Sequence, residues 1–375
     1  MSESRSTEMS HTHEESETDM AMTSASERDC TPERPRAELE RDAHAVLFPA
    51  FDLPEGKSRL LDLLRRGTVA VIMGESRDEY TSRSMSSARR SKESSHTFME
   101  VTGALRAKAN GPILIAVDQE PWGIQRLHAL VPAFPSGAAL LKMTNDEIIS
   151  AAGDLAKAAR KLGVNAFLSP VLDRLCGENA WLEGRTLDAD HAEIARIASC
   201  FVIGIQQAGV LAIAKHFPGF PRLDADPALH DTRVHAADWD VESLLPFQEV
   251  IDAGAAAVMI GPAIVTAVDP AEPASTSVVT VRKLREDLGF AGVVVSDDLD
   301  APATLRGRSV ESTGLASLMA GADLLLVAGG PDVGDIAEAL VAAAASDPSV
   351  ALRLSTAARR VRSMVLSATH GGQFL

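Results

Sequence analysis

Residues 211–219 read LAIAKHFPG, a short apolar stretch that ends in a lysine and a histidine, followed by phenylalanine, proline and glycine. The first four residues carry no polar side chain, so a strand here would be buried on both faces, which is typical of a parallel sheet covered by helices. Seven other stretches have the same apolar character. The eight predicted strands lie at residues 45–51, 68–74, 112–118, 165–173, 211–217, 256–262, 292–298 and 322–328.

Helix-like segments separate these strands. Apolar residues at three- and four-residue steps predict helices over 145–163, 192–209 and 241–254, and each segment ends in a glycine, the usual residue at a helix end. Eight strands joined by helical crossovers predict an α/β fold of the TIM type, a (β/α)8 barrel. An open doubly wound sheet is the alternative, but its glycine-rich first turn, GxGxxG after a strand, is absent from the sequence.

The composition excludes several kinds of partner. The net charge of −16 leaves no basic surplus to neutralise phosphates, which argues against nucleic acid and anionic membranes. No apolar run reaches the roughly 18–20 residues that span a bilayer. The three cysteines have no CxxC spacing, and P-loop, HExxH and EF-hand motifs are absent, so no disulfide framework, metal site or cofactor is predicted.

The amino-terminal segment differs from the rest of the chain. Residues 1–40 are rich in Ser, Thr, Glu and Asp and nearly free of large apolar side chains. Such a segment cannot bury enough surface to offset its ordering entropy, so we predict a disordered tail over 1–40 and a single barrel domain over 41–375. The first twenty residues lack the charged and apolar regions of a secretory signal, which makes the cytoplasm the expected location.

Polar side chains stand at or just beyond the carboxyl ends of four predicted strands. In a barrel these ends share one face, where the active sites of such enzymes lie. Carboxylates together with Lys, Arg and His supply the directed acceptors and donors that a neutral polyhydroxylated ligand requires, so a small carbohydrate is the predicted ligand. The residues concerned are Asp118, Glu120, Arg126, Asp173, Arg185, Lys215, His216, Ser296, Asp297 and Asp298.

Four segments of the chain resemble the motifs of one known family. AIAKHFPG (212–219) and LREDLGFAGVVVSDDL (284–299) are similar to the KHFPG and LRxELGFxGxxxSDDL signatures of the family 3 glycoside hydrolases, in particular of the single-domain β-N-acetylhexosaminidase branch. VDQEPWGIQRL (117–127) and LSPVLD…LEGRTLDAD (168–190) resemble its DQEGGRVQRL and APVLD…IGxRSFGxD segments more loosely. The resemblance covers roughly residues 45–370.

The resemblance implies a retaining, cofactor-independent hydrolase that removes a terminal β-linked N-acetylhexosamine from a glycoside. Asp297, the first Asp of SDD, would be the nucleophile that forms a covalent glycosyl-enzyme ester. The positions that match the family's substrate-binding residues are Asp118, Arg126, Arg185, Lys215 and His216.

The loop after KHFPG departs from the family pattern. Members of the branch carry an Asp–x–His pair there that protonates the leaving group, whereas this loop reads FPGFPRLDADPALH (217–230). Without gaps, the Asp of the pair falls on Asp226 and the His falls on Ala228, and the nearest imidazole is His230. Either the loop is two residues longer, with His230 as the acid oriented by Asp226 or Asp231, or the acid has been lost.

Three other functions remain alternatives at this point. A carbohydrate-binding pseudoenzyme of the same fold would keep the ligand-holding residues without the acid. A transglycosidase or phosphorylase would use an acceptor other than water, acting on a different sugar. A lysine at a barrel strand end, as Lys215 is, is also the arrangement of Schiff-base aldolases, although the neighbouring His216 and the distant SDD segment would then be unexplained.

Overall fold

Eight parallel strands form a ring in the computed structural model, which describes residues 34–52, 57–328 and 333–369. Each strand of the ring lies within one of the predicted stretches. In chain order the strands are β1 (Leu47–Phe51), β2 (Ala70–Met73), β3 (Leu114–Val117), β4 (Ala166–Phe167), β5 (Leu211–Phe217), β6 (Arg233–Val234), β7 (Ala257–Ile260), β8 (Ile264–Val265), β9 (Val293–Val295) and β10 (Leu325–Ala328).

The ring is closed, and the predicted (β/α)8 barrel is confirmed. The sheet runs in the order β10-β1-β2-β3-β4-β5-β7-β9, while β6 and β8 pair separately. A parallel bridge between Val295 and Leu324 joins β9 to the start of β10, and the backbone N–H of Ser296 donates to the Leu324 carbonyl at 2.9 Å. The alternative of an open doubly wound sheet is therefore wrong.

Helices connect and cover the strands. Those of the described residues are α1 (Arg36–Ala45), α2 (Lys57–Arg66), α3 (Arg77–Ser82), α4 (Ser87–Lys92), α5 (Ser95–Lys108), α6 (Gly137–Leu140), α7 (Asn145–Lys161), α8 (His191–Gln207), α9 (Leu245–Asp252), α10 (Val278–Arg282), α11 (Pro302–Leu305), α12 (Val310–Ala320), α13 (Val333–Ser346) and α14 (Pro348–Thr369). Short 3₁₀ turns lie at His128–Leu130, Val241–Leu244 and Ala274–Thr276, and a π turn at Lys283–Asp287.

The three predicted helices correspond to α7, α8 and α9, the last preceded by a 3₁₀ turn. Gly163, Gly209 and Gly254 follow these helices with φ of +88°, +81° and +86°. This left-handed conformation suits glycine because it has no Cβ, so the sequence located the helix ends correctly.

Side chains of the strands alternate between two apolar layers. Ile72 and Leu114 point into the barrel interior, whereas Val71 and Ile115 pack between the sheet and the surrounding helices. Val361, Met364, Val365 and Ala368 of α14 belong to the interior layer, and this helix covers the amino ends of the strands. The carboxyl ends are therefore the face where a cavity can open.

The predicted domain boundary requires a correction at its inner edge. Residues 1–33 of the predicted tail lie outside the described residues, but α1 begins at Arg36, inside the predicted tail. Leu39 of this helix is 2% exposed, and Asp42 accepts hydrogen bonds from Arg34 and Arg362. These contacts hold α1 in the compact unit that starts at residue 34. In the parts of the chain that the structure describes, we find no helix with the length and apolarity of a membrane span.

Candidate active site

A cavity of about 200 Å³ opens at the carboxyl ends of the strands. This is smaller than the roughly 300–1,000 Å³ typical of drug-sized ligands, so the cavity suits a ligand the size of one sugar. All eight strands of the ring contribute to it. Apolar side chains of Ala50, Ile72, Leu168, Met259 and Leu326 line it together with Gly74 and the polar residues Glu75, Arg77, Tyr80, Asp118, Arg185, Lys215, His216, Asp297 and Asp298.

Four charged residues from three places in the sequence form one buried network in the wall of the cavity. Lys215 at the end of β5 lies 2.5 Å from Asp118 and 3.0 Å from Glu120, which follow β3. Arg185, in the segment after β4, binds the Glu120 carboxylate at 2.7 Å. Burial alone would raise the pKa of Glu120, but Arg185 and Lys215 outweigh it and hold the pKa well below its usual range.

The same network determines the chemistry of Lys215. Burial alone would lower the pKa of its amine, but the Asp118 and Glu120 carboxylates outweigh burial and raise the pKa to about 12. A Schiff-base lysine must be neutral to attack a carbonyl, and this amine stays protonated near neutral pH. The geometry therefore disfavours the aldolase alternative and leaves Lys215 as a hydrogen-bond donor.

The turn after β3 is built around the Glu120 carboxylate. Its Oε2 accepts the backbone N–H of Ile124 at 2.9 Å. A Cβ at Gly123 would collide with the same oxygen, so only glycine allows the chain to approach the carboxylate this closely. The sequence pattern indicated Glu120 as a strand-end residue but did not single it out.

A buried aspartate fixes the orientation of His216. Residues 170–172, the continuation of predicted strand 165–173, run beside β5 through hydrogen bonds with the backbone of Lys215. This brings Asp173 to His216, whose Nδ1 lies 2.8 Å from its carboxylate and whose backbone N–H also donates to it. The Trp181 ring packs on the imidazole at 4.4 Å between centroids. With Nδ1 held by a carboxylate, Nε2 is the ring nitrogen left for a ligand.

Asp297 follows β9 and keeps one carboxylate oxygen without a partner. Its backbone N–H donates to Ser275 Oγ at 3.0 Å, and its Oδ1 accepts the backbone N–H of Asp298 at 2.8 Å. Its Oδ2 is buried and has no hydrogen-bond partner among the described residues. Burial raises the pKa of Asp297, and His216 and Lys215 act in the opposite direction.

The segment after β2 contributes residues that the sequence reasoning missed. Glu75, Arg77 and Tyr80 all line the cavity. The Tyr80 hydroxyl accepts hydrogen bonds from Trp181 Nε1 at 3.1 Å and from Arg185 at 3.4 Å, and burial raises its pKa. Glu75 stands directly after the predicted strand 68–74, so the strand-end rule applied elsewhere would have found it.

Arg126 does not line the cavity. Its guanidinium forms a two-pronged pair with Glu93 at 2.8 and 2.9 Å and donates to the Gly74 carbonyl at 2.7 Å. Through these hydrogen bonds the Arg126 guanidinium connects the segment after β3 to the segment after β2. The structure thus brings Asp118, Arg185, Lys215, His216 and Asp297 together and leaves out Arg126, for which we had predicted a contact with the ligand.

The two predicted acid–base residues also lie outside the cavity lining. Asp226 Oδ1 accepts the backbone N–H of Ala228, and the His230 side chain is exposed, without a hydrogen bond between the two side chains. Asp231 pairs with Arg306 at 2.6 Å, which holds this part of the loop beside α11. The acid role of His230 therefore stays a prediction, and it requires the loop to move.

Phe220, the residue directly after the KHFPG segment, is a core residue. It is fully buried, packs edge-to-face on Trp181 at 5.6 Å, and its backbone N–H donates to Asp173. A Cβ at Gly261 would collide with the Phe220 ring. Because its ring is packed into the core, this end of the loop is anchored.

One group in the described part of the chain could present three ligand atoms to a metal ion. It consists of His191, Asp240 and Glu242, with the ligand atoms within 4.8 Å of one another. None of the three lines the cavity. Asp240 already accepts the backbone N–H groups of Glu242 and Ser243, which fits a helix cap.

Fold and cavity together define a class of protein: a (β/α)8 barrel with a sugar-sized cavity whose wall combines carboxylates, cations and one oriented imidazole. The sequence model of the Glycosyl hydrolase family 3 N terminal domain matches residues 57–364. The chain therefore belongs to glycosyl hydrolase family 3.

Individual relatives agree with this assignment. A beta-hexosaminidase of Nitrosomonas eutropha is 30% identical over 256 residues, which cover 66% of this chain and 73% of that protein. A beta-hexosaminidase of Xanthomonas campestris pv. campestris is 36% identical over 243 residues, covering 61% and 71%.

Two solved structures have the same fold. The glycoside hydrolase family 3 beta-N-acetylglucosaminidase from Paenibacillus sp. str. FPU-7 matches with a TM-score of 0.76 and 26% identity, over 90% of this chain and 64% of that one. The beta-N-acetylhexosaminidase from Beutenbergia cavernae matches with a TM-score of 0.74 and 26% identity, over 87% of this chain and 98% of that one. The chain thus spans just under two thirds of the Paenibacillus enzyme.

Proposed function

We propose that this chain is a retaining β-N-acetylhexosaminidase in which Asp297 Oδ2 attacks the anomeric carbon of a terminal sugar. The observation that carries the proposal is the unpartnered Oδ2 of Asp297, a residue that lines the cavity, while its Oδ1 is fixed by the Asp298 backbone. Attack forms a glycosyl–Asp297 ester and breaks the bond to the leaving oxygen, which takes a proton. Water then hydrolyses the ester and regenerates the carboxylate.

The cavity wall supplies the contacts that a sugar needs. Asp118 offers acceptors, Lys215 and Arg185 offer charged donors, and His216 Nε2 completes the set beside Asp297. These groups are already held by one another, so binding requires little reorganisation. The names of the relatives, beta-hexosaminidase and beta-N-acetylglucosaminidase, support an N-acetylhexosamine as the terminal sugar.

The proton for the leaving group is assigned to His230, oriented by Asp226 or Asp231, in a conformation that brings the loop over the cavity. A general acid must come within hydrogen-bond distance of the leaving oxygen. A second candidate function, a sugar-binding protein with impaired catalysis, is favoured by one observation, the exposure of His230 outside the cavity lining.

Kinetics on two aryl β-N-acetylglucosaminides, one with a good and one with a poor leaving group, test the role of Asp297 as nucleophile and of His230 as acid. We expect Asp297→Asn to lose on the order of 10³-fold or more in kcat on both substrates. We expect His230→Ala to lose about 10²- to 10⁴-fold on the poor leaving group and much less on the good one, because only the poor one needs a proton. His235→Ala is the matched control, since His235 is an exposed histidine directly after β6, five positions from His230.

The outcomes separate the two functions. Trapping with a fluorinated glycoside and mass spectrometry should find the label on Asp297. If wild type cleaves only the activated substrate and His230→Ala equals the His235→Ala control, the loop carries no acid and the binding function is preferred. If Asp297→Asn keeps wild-type activity, the proposed nucleophile is wrong.

A further inference from the structure

Glu75 lines the cavity and has one carboxyl oxygen without a hydrogen-bond partner among the described residues. It directly follows Gly74, the residue after β2, and lines the cavity together with Asp118 and Lys215. Its Oε2 is shielded from solvent and has no hydrogen-bond partner among the described residues. A buried polar atom without a hydrogen-bond partner destabilises the fold. We therefore expect such an atom where a bound ligand supplies the missing hydrogen bond.

The two cations that act most on Glu75 are already engaged by other carboxylates. Lys215 is held by Asp118 and Glu120, and Arg126 by the two oxygens of Glu93. Burial, and after it the negative charge of Asp118, raises the pKa of Glu75 to about 8. The Arg126 and Lys215 charges oppose this rise, and Glu120 adds to it. At neutral pH the Glu75 carboxyl group is therefore protonated.

A protonated carboxyl group matches a sugar hydroxyl. It offers one O–H donor and one acceptor, and a hydroxyl group likewise donates once and accepts. Asp118 beside it supplies a further acceptor, and the Lys215 ammonium group a donor. The protonated Glu75 carboxyl group and a sugar hydroxyl group can therefore form hydrogen bonds with each other in a cavity from which the sugar displaces water.

The position of Glu75 in the ring indicates which part of the sugar it meets. In the closed barrel β2 is three strands from β9, which carries Asp297, and adjacent to β3, which carries Asp118. The charged groups that act most on Glu75 are Asp118, Arg126, Lys215 and Glu120, on or after β3 and β5. If Asp297 attacks the anomeric carbon, Glu75 meets the opposite side of the pyranose ring.

We propose that the Glu75 carboxyl group binds a hydroxyl group on the side of the terminal sugar remote from the anomeric carbon, and thereby determines which sugar the cavity accepts. The proposal rests on the proposed function for its orientation of the sugar. Ionised Glu75 would lose its donor and add a second negative charge beside Asp118, so binding weakens as the pH rises past about 8.

The test compares Glu75→Gln and Glu75→Ala with wild type, using Asp78→Asn, an exposed carboxylate of α3, as the matched control. Glutamine keeps a donor and an acceptor but does not titrate. We expect Glu75→Gln to keep kcat/KM within about threefold at pH 6 and to lose the fall in kcat/KM above pH 8. We expect Glu75→Ala to lose about 10- to 100-fold in kcat/KM, chiefly through KM.

Aryl glycosides deoxygenated at C3, C4 or C6 identify the hydroxyl group. For one of these positions the losses from deoxygenation and from Glu75→Ala should not add, because both remove the same hydrogen bond. Additive losses at all three positions, or a Glu75→Gln profile with the wild-type alkaline fall, overturn the proposal.

Calorimetric binding of N-acetylglucosamine and its deoxy analogues, run in parallel, separates this proposal from the proposed function. A wild-type protein that binds but does not hydrolyse refutes the hydrolase, while the same non-additivity in binding still supports the role of Glu75. A protein that neither binds nor hydrolyses refutes both.

Discussion

Replacing Glu120 with glutamine removes one charge from the centre of the network that joins Lys215 and Arg185. The glutamine side chain has nearly the same volume, so packing is preserved while two buried cations lose the carboxylate they share. Glu120 is 1% exposed and lies 3.0 Å from Lys215 and 2.7 Å from Arg185. Breaking a buried ion pair by neutralising one partner costs about 3–5 kcal/mol, because the remaining charge stays buried without compensation.

The size of the folded unit converts this free energy into a temperature. For the roughly 340 residues from Arg34 onward, an unfolding entropy of about 2 cal/mol/K per residue gives about 0.7 kcal/mol/K. Glu120→Gln should therefore lower Tm by about 4–7 °C. Lys215 keeps Asp118, so the loss lies at the lower end if the lysine shifts toward that partner.

Differential scanning calorimetry at pH 7 measures the shift, and Glu193→Gln is the control. Glu193 pairs with Arg196 at 2.9 Å on the half-exposed face of α8, where an ion pair contributes at most about 1 kcal/mol. We expect the control to melt within about 1.5 °C of wild type. A Glu120→Gln protein that melts as high as the control would refute the buried network, because the substitution leaves the buried Arg185 guanidinium without its carboxylate partner.

Three other substitutions have expected outcomes. Gly123→Ala should displace the Glu120 carboxylate that a Cβ would hit, and its loss in Tm should not add to that of Glu120→Gln in the double variant, as calorimetry of all three proteins would reveal. Tyr80→Phe leaves the buried indole N–H of Trp181 without an acceptor and should lower the free energy of unfolding, measured by urea titration, by about 1–3 kcal/mol. An unchanged free energy of unfolding would mean that Trp181 reaches another acceptor. Arg306→Ala removes the surface pair with Asp231 and should leave Tm within about 1.5 °C while hydrogen exchange in the acid–base loop becomes faster; unchanged exchange would show that the pair does not hold the loop.

The strands and helix ends were predictable from the sequence because each depends on local pattern. The apolar runs such as 211–217 and 292–298 contain the strands, and Gly163 and Gly209 mark the helix ends through their positive φ. The strand ends also located Asp118, Lys215 and Asp297 correctly in one cavity, since parallel strands in a closed barrel bring their carboxyl ends together.

Partnerships between distant residues were not predictable from the sequence. Arg126 and Glu93 are 33 positions apart, and nothing in either local stretch indicates that they pair. Tyr80 lies within a short polar helix whose pattern looks like an ordinary surface turn, and only the fold turns it toward Trp181. The loop with His230 lacks a regular pattern, so its course had no local signal at all.

The chain of contacts from Asp118 through Lys215, Glu120 and Arg185 to the Tyr80 hydroxyl has a consequence for the descent of this protein. Neutralising any of its four charged members takes a compensating charge away from a buried neighbour. Single replacements are therefore costly intermediates, and divergence at these positions has to proceed by paired exchanges. Among relatives the four charged positions should co-vary more strongly than the positions of the apolar side chains that line the cavity.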